Sequence, residues 1–335
     1  MMIKISRISI RFLTWFVWSS VFFGIFFCQV TVAQSNNDYP KKPIRIIVSF
    51  APGGGTDIIA RILSVKLTEI LKQPVYIENK VGASANIGTQ YVANATPDGY
   101  TYLFTSSAYI VNFSLQKKLA GYDPIKDFTP IIIAASQPIA IVVNNKFEAK
   151  NIQDLKNLAV KSSLSFASAG VGTQPHITCD GLFNSIWKSD AIHIPYKGAG
   201  PALSALIGGE IPVFCGTTGA VSQYLKQGLI RALAISSEKR LVTMPDIPTL
   251  SELGSAQLRN DVWQGMFAPA KTPKYMVEKM NMAMSQVLGS EDIQEKFKGL
   301  DLIIVGGSIS QTVEYIQSEL NRWDAVFKYN ASHKN

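Results

Sequence analysis

Histidine and cysteine are scarce in this chain, with three of each in 335 residues. His176, His193 and His333 form no H-x-x-x-H pair, and Cys28, Cys179 and Cys215 no C-x-x-C pair. A zinc site would need ligands from remote positions, so no metal is expected. Charged residues make up only 17%, and no Lys/Arg-rich block of five or more occurs. The net charge of +8 is therefore scattered over the surface, and no nucleic-acid partner is expected. There is no G-x-x-x-x-G-K-[ST] phosphate loop and no G-x-S-x-G elbow. The dinucleotide spacing G-x-G-x-x-G fails because Thr56 to Ile59 contain no glycine, and Gly170-x-Gly172 meets Pro175 where its third glycine belongs. No cofactor is expected, no catalytic set assembles, and neither an internal repeat nor a low-complexity segment stands out.

Long apolar runs are also missing after the first 33 residues. Pro130 to Val143 is the longest, and Ser136, Gln137 and Pro138 break it. Within the first 33 residues, Lys4, Arg7 and Arg11 precede a sixteen-residue apolar run, Phe12 to Phe27, and small residues near Ala33. That is the layout of a cleavable signal peptide, 1–33, and the run is short for a span of about 20 residues. An uncleaved anchor is the competing reading. Phe26 and Phe27 are too bulky to make Cys28 a lipidation site. Export to the periplasm removes three basic residues and lowers the net charge to +5. Cys179 and Cys215 then remain, either as a disulfide or as two buried thiols.

What is present is a repeated strand–loop–helix grammar. Ile44 to Phe50 reads as a buried strand that stops at Ala51-Pro52-Gly53-Gly54-Gly55-Thr56-Asp57. Ile59, Ile62, Leu63, Leu67, Ile70 and Leu71 then share one helical face. Val75 to Glu78 and Tyr100 to Thr105 are further strands, running into Gly82-Ala83-Ser84 and Ser106-Ser107. Beyond residue 160, Leu164 to Ala167, Ala191 to Pro195, Ile211 to Phe214 and Arg231 to Ile235 repeat the pattern. A helix is expected from about Pro175 and another over Ser310 to Phe327. The alternation predicts an α/β fold of parallel sheets with helices on both faces. At about 100–200 residues per domain, the length suggests two domains. Phe128 to Asn144 and Trp263 to Pro269 read as two crossings between them. That is a two-lobe binding fold, each lobe a mostly parallel sheet flanked by helices. Its domains are 39–137 plus 253–335, and the inserted 138–252, with a ligand held between.

At least five strand ends feed Gly/Ser/Thr-rich loops that open helices. Small residues expose backbone N–H groups, and helix starts carry partial positive charge, so such loops facing one cleft make an anion site. Any single loop reads equally as turn and cap chemistry. Asp57 either caps the first helix or orients its loop. His176, in a helix's first turn, either donates to a ligand or packs, while His193, inside a strand, is structural.

Tyr39-Pro40-x-Lys42-Pro43-Ile44, then Ile47-Val48-x-Phe50-x-Pro52-Gly53-Gly54-x-Thr56-Asp57 with Ala60-Arg61, resembles the start of the Bug/TctC family. The likeness continues through Glu78-Asn79-Lys80-x-Gly82-Ala83, Asn86-Ile87-Gly88 and Pro97-Asp98-Gly99-Tyr100-Thr101. Pro195-Tyr196-Lys197-Gly198-x-x-Pro201-Ala202, Trp263-x-Gly265-x-Phe267-Ala268-Pro269 and Thr272-Pro273 complete it. These proteins are extracytoplasmic solute receptors of tripartite tricarboxylate transporters. The resemblance implies a periplasmic binding protein fold whose cleft holds a small carboxylate. Carried over by position, the ligand residues are Gly54, Gly55, Thr56, Asp57, Ala83, Ser84, Ser106 and Ser107. From the second lobe come Ala169, Gly172, Thr173, His176, Tyr196 and Gly198. The implied partners are membrane transporter subunits or a sensor kinase, and the receptor is expected to be a monomer. Two departures matter. Ser84-Ala85 stand where the family often has Gly-Gly. Gly216 stands where many members carry an Asp suited to an ammonium group, which implies a ligand without an amino group, aliphatic or aromatic. An exported hydrolase on the same lobes is the alternative reading.

Overall fold

The structure is a computed structural model and describes residues 38–115 and 117–332. The expected signal segment, with Cys28, and also His333 lie outside the described residues. Among the described residues, no helix is long and apolar enough to cross a membrane.

The expected strands and the two extended crossings join one ten-stranded mixed sheet, whose tenth strand, Ile303–Gly306, lies in the region expected to be mostly helical. β1 (Ile44–Val48) runs parallel to β2 (Val75–Asn79) on one side and β3 (Thr101–Ser106) on the other. Each return passes through a helix. Gly55–Leu71 buries Ile59, Leu63, Leu67 and Leu71 at four-residue steps, so its apolar stripe faces inward. In the second half, β5 (Ser165–Ser168) runs parallel to both β6 (Ile192–Pro195) and β7 (Val213–Thr217). β8 (Ile230–Ile235) and β10 (Ile303–Gly306) both pair with β4 (Phe128–Asn144).

The crossings are antiparallel. β9 (Asp261–Pro269) pairs antiparallel with β3 and with β4 (Phe128–Asn144), which in turn pairs antiparallel with β7 and β8. The order along the sheet is β2-β1-β3-β9-β4-β7-β5-β6. β4 is a single 17-residue strand that continues through Pro138. Proline cannot donate to a ladder, and Pro138 sits at the last register pair with β9, just before pairing passes to β7 at Ile139. Pro130 lies at a register shift for the same reason.

The alternation along β4 and β7 separates two cores. Ala140, Val142 and Phe214 face one, while Ile141, Val143, Val213 and Cys215 face the other. Each fully buried Val, Ile or Phe among them contributes roughly 1.5–3 kcal/mol. Cys215 therefore points at the helix Gln174–Asp180, and it forms a disulfide with Cys179. That resolves the open pairing in favour of the bridge. A third core gathers Leu103, Tyr109, Trp263, Phe267 and Trp323, tying the long helix Ile309–Ser332 back to the first half.

Candidate functional site

The strand ends of both halves meet. Phe50, Gly54, Gly55, Thr56 and Ser106 from the first half enclose a cavity of about 40 Å³ with residues of the second. The second half supplies Ala169, Thr173, Gln174, Pro175, Ala199, Gly216 and Thr217, and Val262 of β9 also lines it. That volume has room for a few water-sized groups. Among the described residues, no charged side chain lines it.

Four helices begin at this cavity. Gly54, Thr173, Gly198 and Thr217 are the N-cap positions of Gly55–Leu71, Gln174–Asp180, Ala199–Gly208 and Thr218–Lys226. Only Thr173 uses its own side chain as a cap, accepting from the His176 N–H. At Gly54, Gly198 and Thr217 the N-cap residue makes no side-chain cap bond, although in the first turn after Thr217 the Gly219 N–H donates to Gln137 Oε1 at 2.9 Å. Each such start carries roughly half a positive charge and free donors, so their convergence favours an anionic oxygen without a cation.

Asp57 does not cap the first helix but orients the loop before it. Its Oδ2 accepts from the Gly53 N–H at 3.1 Å and from Arg61 Nε at 2.9 Å, and its Oδ1 from Asn79 Nδ2 at 2.8 Å. The same contact raises the Arg61 pKa above its ordinary value. The carboxylate is thus engaged outside the cavity. Gly53, at φ +79°, makes the turn that this bond fixes.

The expected residues fall into three groups. Gly54, Gly55, Thr56, Ser106, Ala169 and Thr173 line the cavity. Ala83, Ser84 and Tyr196 line a separate recess of about 180 Å³ with Gly170 and Lys197. Asp57, Ser107, Gly172, His176 and Gly198 line neither. Ser107 hydrogen-bonds Gln174 across the cleft, and Gly198 packs against Ala51. His176 Nδ1 accepts from the Gly172 N–H at 3.2 Å, and its ring lies 4.0 Å from that of His193. Burial lowers the His176 pKa; burial and the neighbouring His176 push His193 down to about 4. Burial thus favours the neutral form of both rings, and His176 is packed against His193.

Phe50, Gln174, Pro175, Ala199, Gly216, Thr217 and Val262 were not among the expected ligand residues. Ala199, Gly216 and Thr217 lie in loops that the pattern does reveal. Val262 carries no sequence signal, because its place depends on which face of a crossing strand looks into the cleft.

Comparison with known proteins gives the family. Residues 59–331 match the family described as the tripartite tricarboxylate transporter family receptor, TctC. The chain belongs to this family. Protein BugT of Bordetella pertussis is 33% identical over 311 residues, covering 91% of this chain and 95% of that protein. Among solved structures, Rpa4515 of R. palustris with adipate has a TM-score of 0.82 at 30% identity, covering 87% and 98% of the two chains. MatC from Rhodopseudomonas palustris with bound malate has a TM-score of 0.80 at 29% identity, covering 86% and 100%. TctC receptors are periplasmic solute-binding proteins, so the chain is a receptor and not an enzyme; the hydrolase alternative is set aside. Among the described residues, no group of three or more His, Cys, Asp or Glu can hold a metal ion.

Proposed function

We propose that the protein captures a small carboxylate between its two halves in the periplasm and delivers it to the membrane subunits of a tripartite tricarboxylate transporter. The observation that carries this is the convergence on one uncharged cavity of the helix starts at Gly54, Gly198 and Thr217, none of them capped by its own N-cap side chain. A carboxylate placed there accepts from backbone N–H groups, and the lining hydroxyls of Thr56, Ser106, Thr173 and Thr217 add donors without bulk. The malate and adipate of the similar structures are chemistry of this kind. Residues 39–137 plus 253–335 act as one lobe and 138–252 as the other, with β4 and β9 as the crossings. Gly216 offers no anion for an ammonium group, so aspartate and glutamate are excluded from the ligand class. The receptor works as an exported monomer.

A thermal-shift and calorimetric screen of malate, succinate, adipate, benzoate, aspartate and glutamate tests this. At a hundredfold excess over its dissociation constant, a bound ligand adds about 2.7 kcal/mol of stability. At least one carboxylate without an amino group is expected to reach that shift unchanged chemically. A screen in which none binds, or in which glutamate binds at micromolar concentration, overturns the reading.

A further inference from the structure

Beneath the cavity lies a feature that carboxylate capture at the helix starts does not use. Gln137 of β4 and Gln264 of β9 are both fully buried. Among the described residues, Gln264 Nε2 and Oε1 and Gln137 Nε2 have no hydrogen-bond partner. Gln137 Oε1 is engaged, accepting from the Gly219 N–H at 2.9 Å. An unpaired buried amide is costly, so two carboxamides on adjacent strands, one wholly and one half unpaired, call for an explanation.

Sheet register says where they face. Gln264 pairs with Ser106 of β3, and Gln137 pairs with Val262 of β9. Cross-strand partners project from the same face, as do residues two apart on one strand. Ser106 and Val262 both line the cavity. Gln264 and Gln137 therefore belong to the cleft face of the sheet, on adjacent strands and two residues apart in register. Trp263, one residue off, faces the opposite core and donates to Glu319. Gln137 Nε2 also lies 3.2 Å from where a side chain on cavity-lining Gly55 would begin. The residue paired with Gln264 on β4 is the small Ala135.

We propose that Gln137 and Gln264 read the far end of the ligand, and that this end is a second carboxylate. This rests on the carboxylate-receptor reading above. The helix starts take one carboxylate at the loop rim; the floor supplies Nε2–H donors for the oxygens of the other. Neutral carboxamides suit that end because they satisfy an anion's oxygens without binding an ammonium group. A hydrocarbon tail there would bury both amides without partners, and a site built to hydrogen-bond its ligand rejects an analogue that lacks the polar group.

Calorimetry with matched pairs decides it: adipate against hexanoate, and succinate against butyrate, each with wild-type protein and with Gln264→Met and Gln137→Met. For the pair of fitting length, wild-type protein is expected to bind the dicarboxylate at least about 100-fold tighter than the monocarboxylate. Gln264→Met is expected to shrink that ratio at least tenfold while monocarboxylate binding persists. Monocarboxylates binding as tightly as dicarboxylates to wild-type protein overturns the inference and leaves the receptor reading intact. An unchanged ratio in both variants, or equal loss of both ligands, overturns it too. If no carboxylate in the screen or in these pairs binds wild-type protein, the receptor reading itself fails. The wild-type ratio needs no variant to fold.

Discussion

At Ala83, Ser84 and Ala85 the chain spends three consecutive non-glycine residues in positive φ, at +46°, +54° and +85°. The left-handed region costs an L-residue roughly 1–2 kcal/mol, and such strain persists where surrounding structure fixes it. Here Asn112 Nδ2 donates to the Ser84 carbonyl at 2.6 Å, holding the recess wall. Ser84→Gly is expected to raise stability by about 0.5–1 kcal/mol, relief of strain offset by glycine's freedom when unfolded. A urea midpoint that falls would show that the hydroxyl holds something. The sequence marks Ser84-Ala85 as unusual but cannot show that the backbone there is left-handed. The His176–His193 pair gives a second residue-scale expectation. His193 has a folded pKa of about 4, below its ordinary value of 6.5, so the folded state resists its protonation. The contribution is complete above about pH 6.5 and is lost as pH falls toward 4. His193→Gln is expected to flatten the stability profile across that window, read by denaturation at fixed pH steps; an unaltered slope rejects the assignment. Gln264 is the opposite case to the histidines. Nothing in the string V-W-Q-G distinguishes a solvated glutamine from an orphaned one, because that depends on pairing with Ser106, 158 positions away.

Elements carry the next level. The helix Gln174–Asp180 has seven residues, too few to be stable alone, yet it presents Gln174 and Pro175 to the cavity. The Cys179–Cys215 bridge fastens it to β7, which carries Gly216 and Thr217 on the facing wall. The two cysteines are separated by 36 positions, and closing a loop of that size removes about 3–4 kcal/mol of unfolded-state freedom in the chain-entropy account. The double substitution Cys179→Ala, Cys215→Ala is expected to lose about that much in guanidinium unfolding, and reductant to act on wild-type protein alone. Stability within 1 kcal/mol of wild type would mean that packing, not the bridge, holds the helix. The strand–loop–helix units and the loops at their ends were legible in sequence because each is a local pattern of period and turn chemistry. The antiparallel direction of β4 and β9 was not. An apolar run buried on both faces reads the same either way, and the tell-tale is the missing helix between strand and neighbour.

At the scale of the whole molecule, the halves meet along a seam of small residues. The Ala51 N–H donates to the Lys197 carbonyl at 3.2 Å, and Gly53 and Gly54 face Gly200 and Ala199. This seam brings the helix starts at Gly54 and Gly198 to one point, so the cavity beside them is enclosed by both halves together. Gly200 is the most sensitive position in it, because any side chain there would meet the Pro52 carbonyl. It is also the second residue of the helix Ala199–Gly208, where valine is no worse a helix former than glycine. Gly200→Val should therefore leave the fold around its helix intact while holding the two sides of the seam apart. Small-angle scattering is expected to show wild-type protein compacting when a carboxylate that binds it is added. The variant is expected to keep its larger radius of gyration, with affinity weaker by at least about 100-fold and an unfolding midpoint close to wild type. If the variant compacts normally and binds within threefold of wild type, the seam is not the closing surface, and the helix starts must take their anion without it.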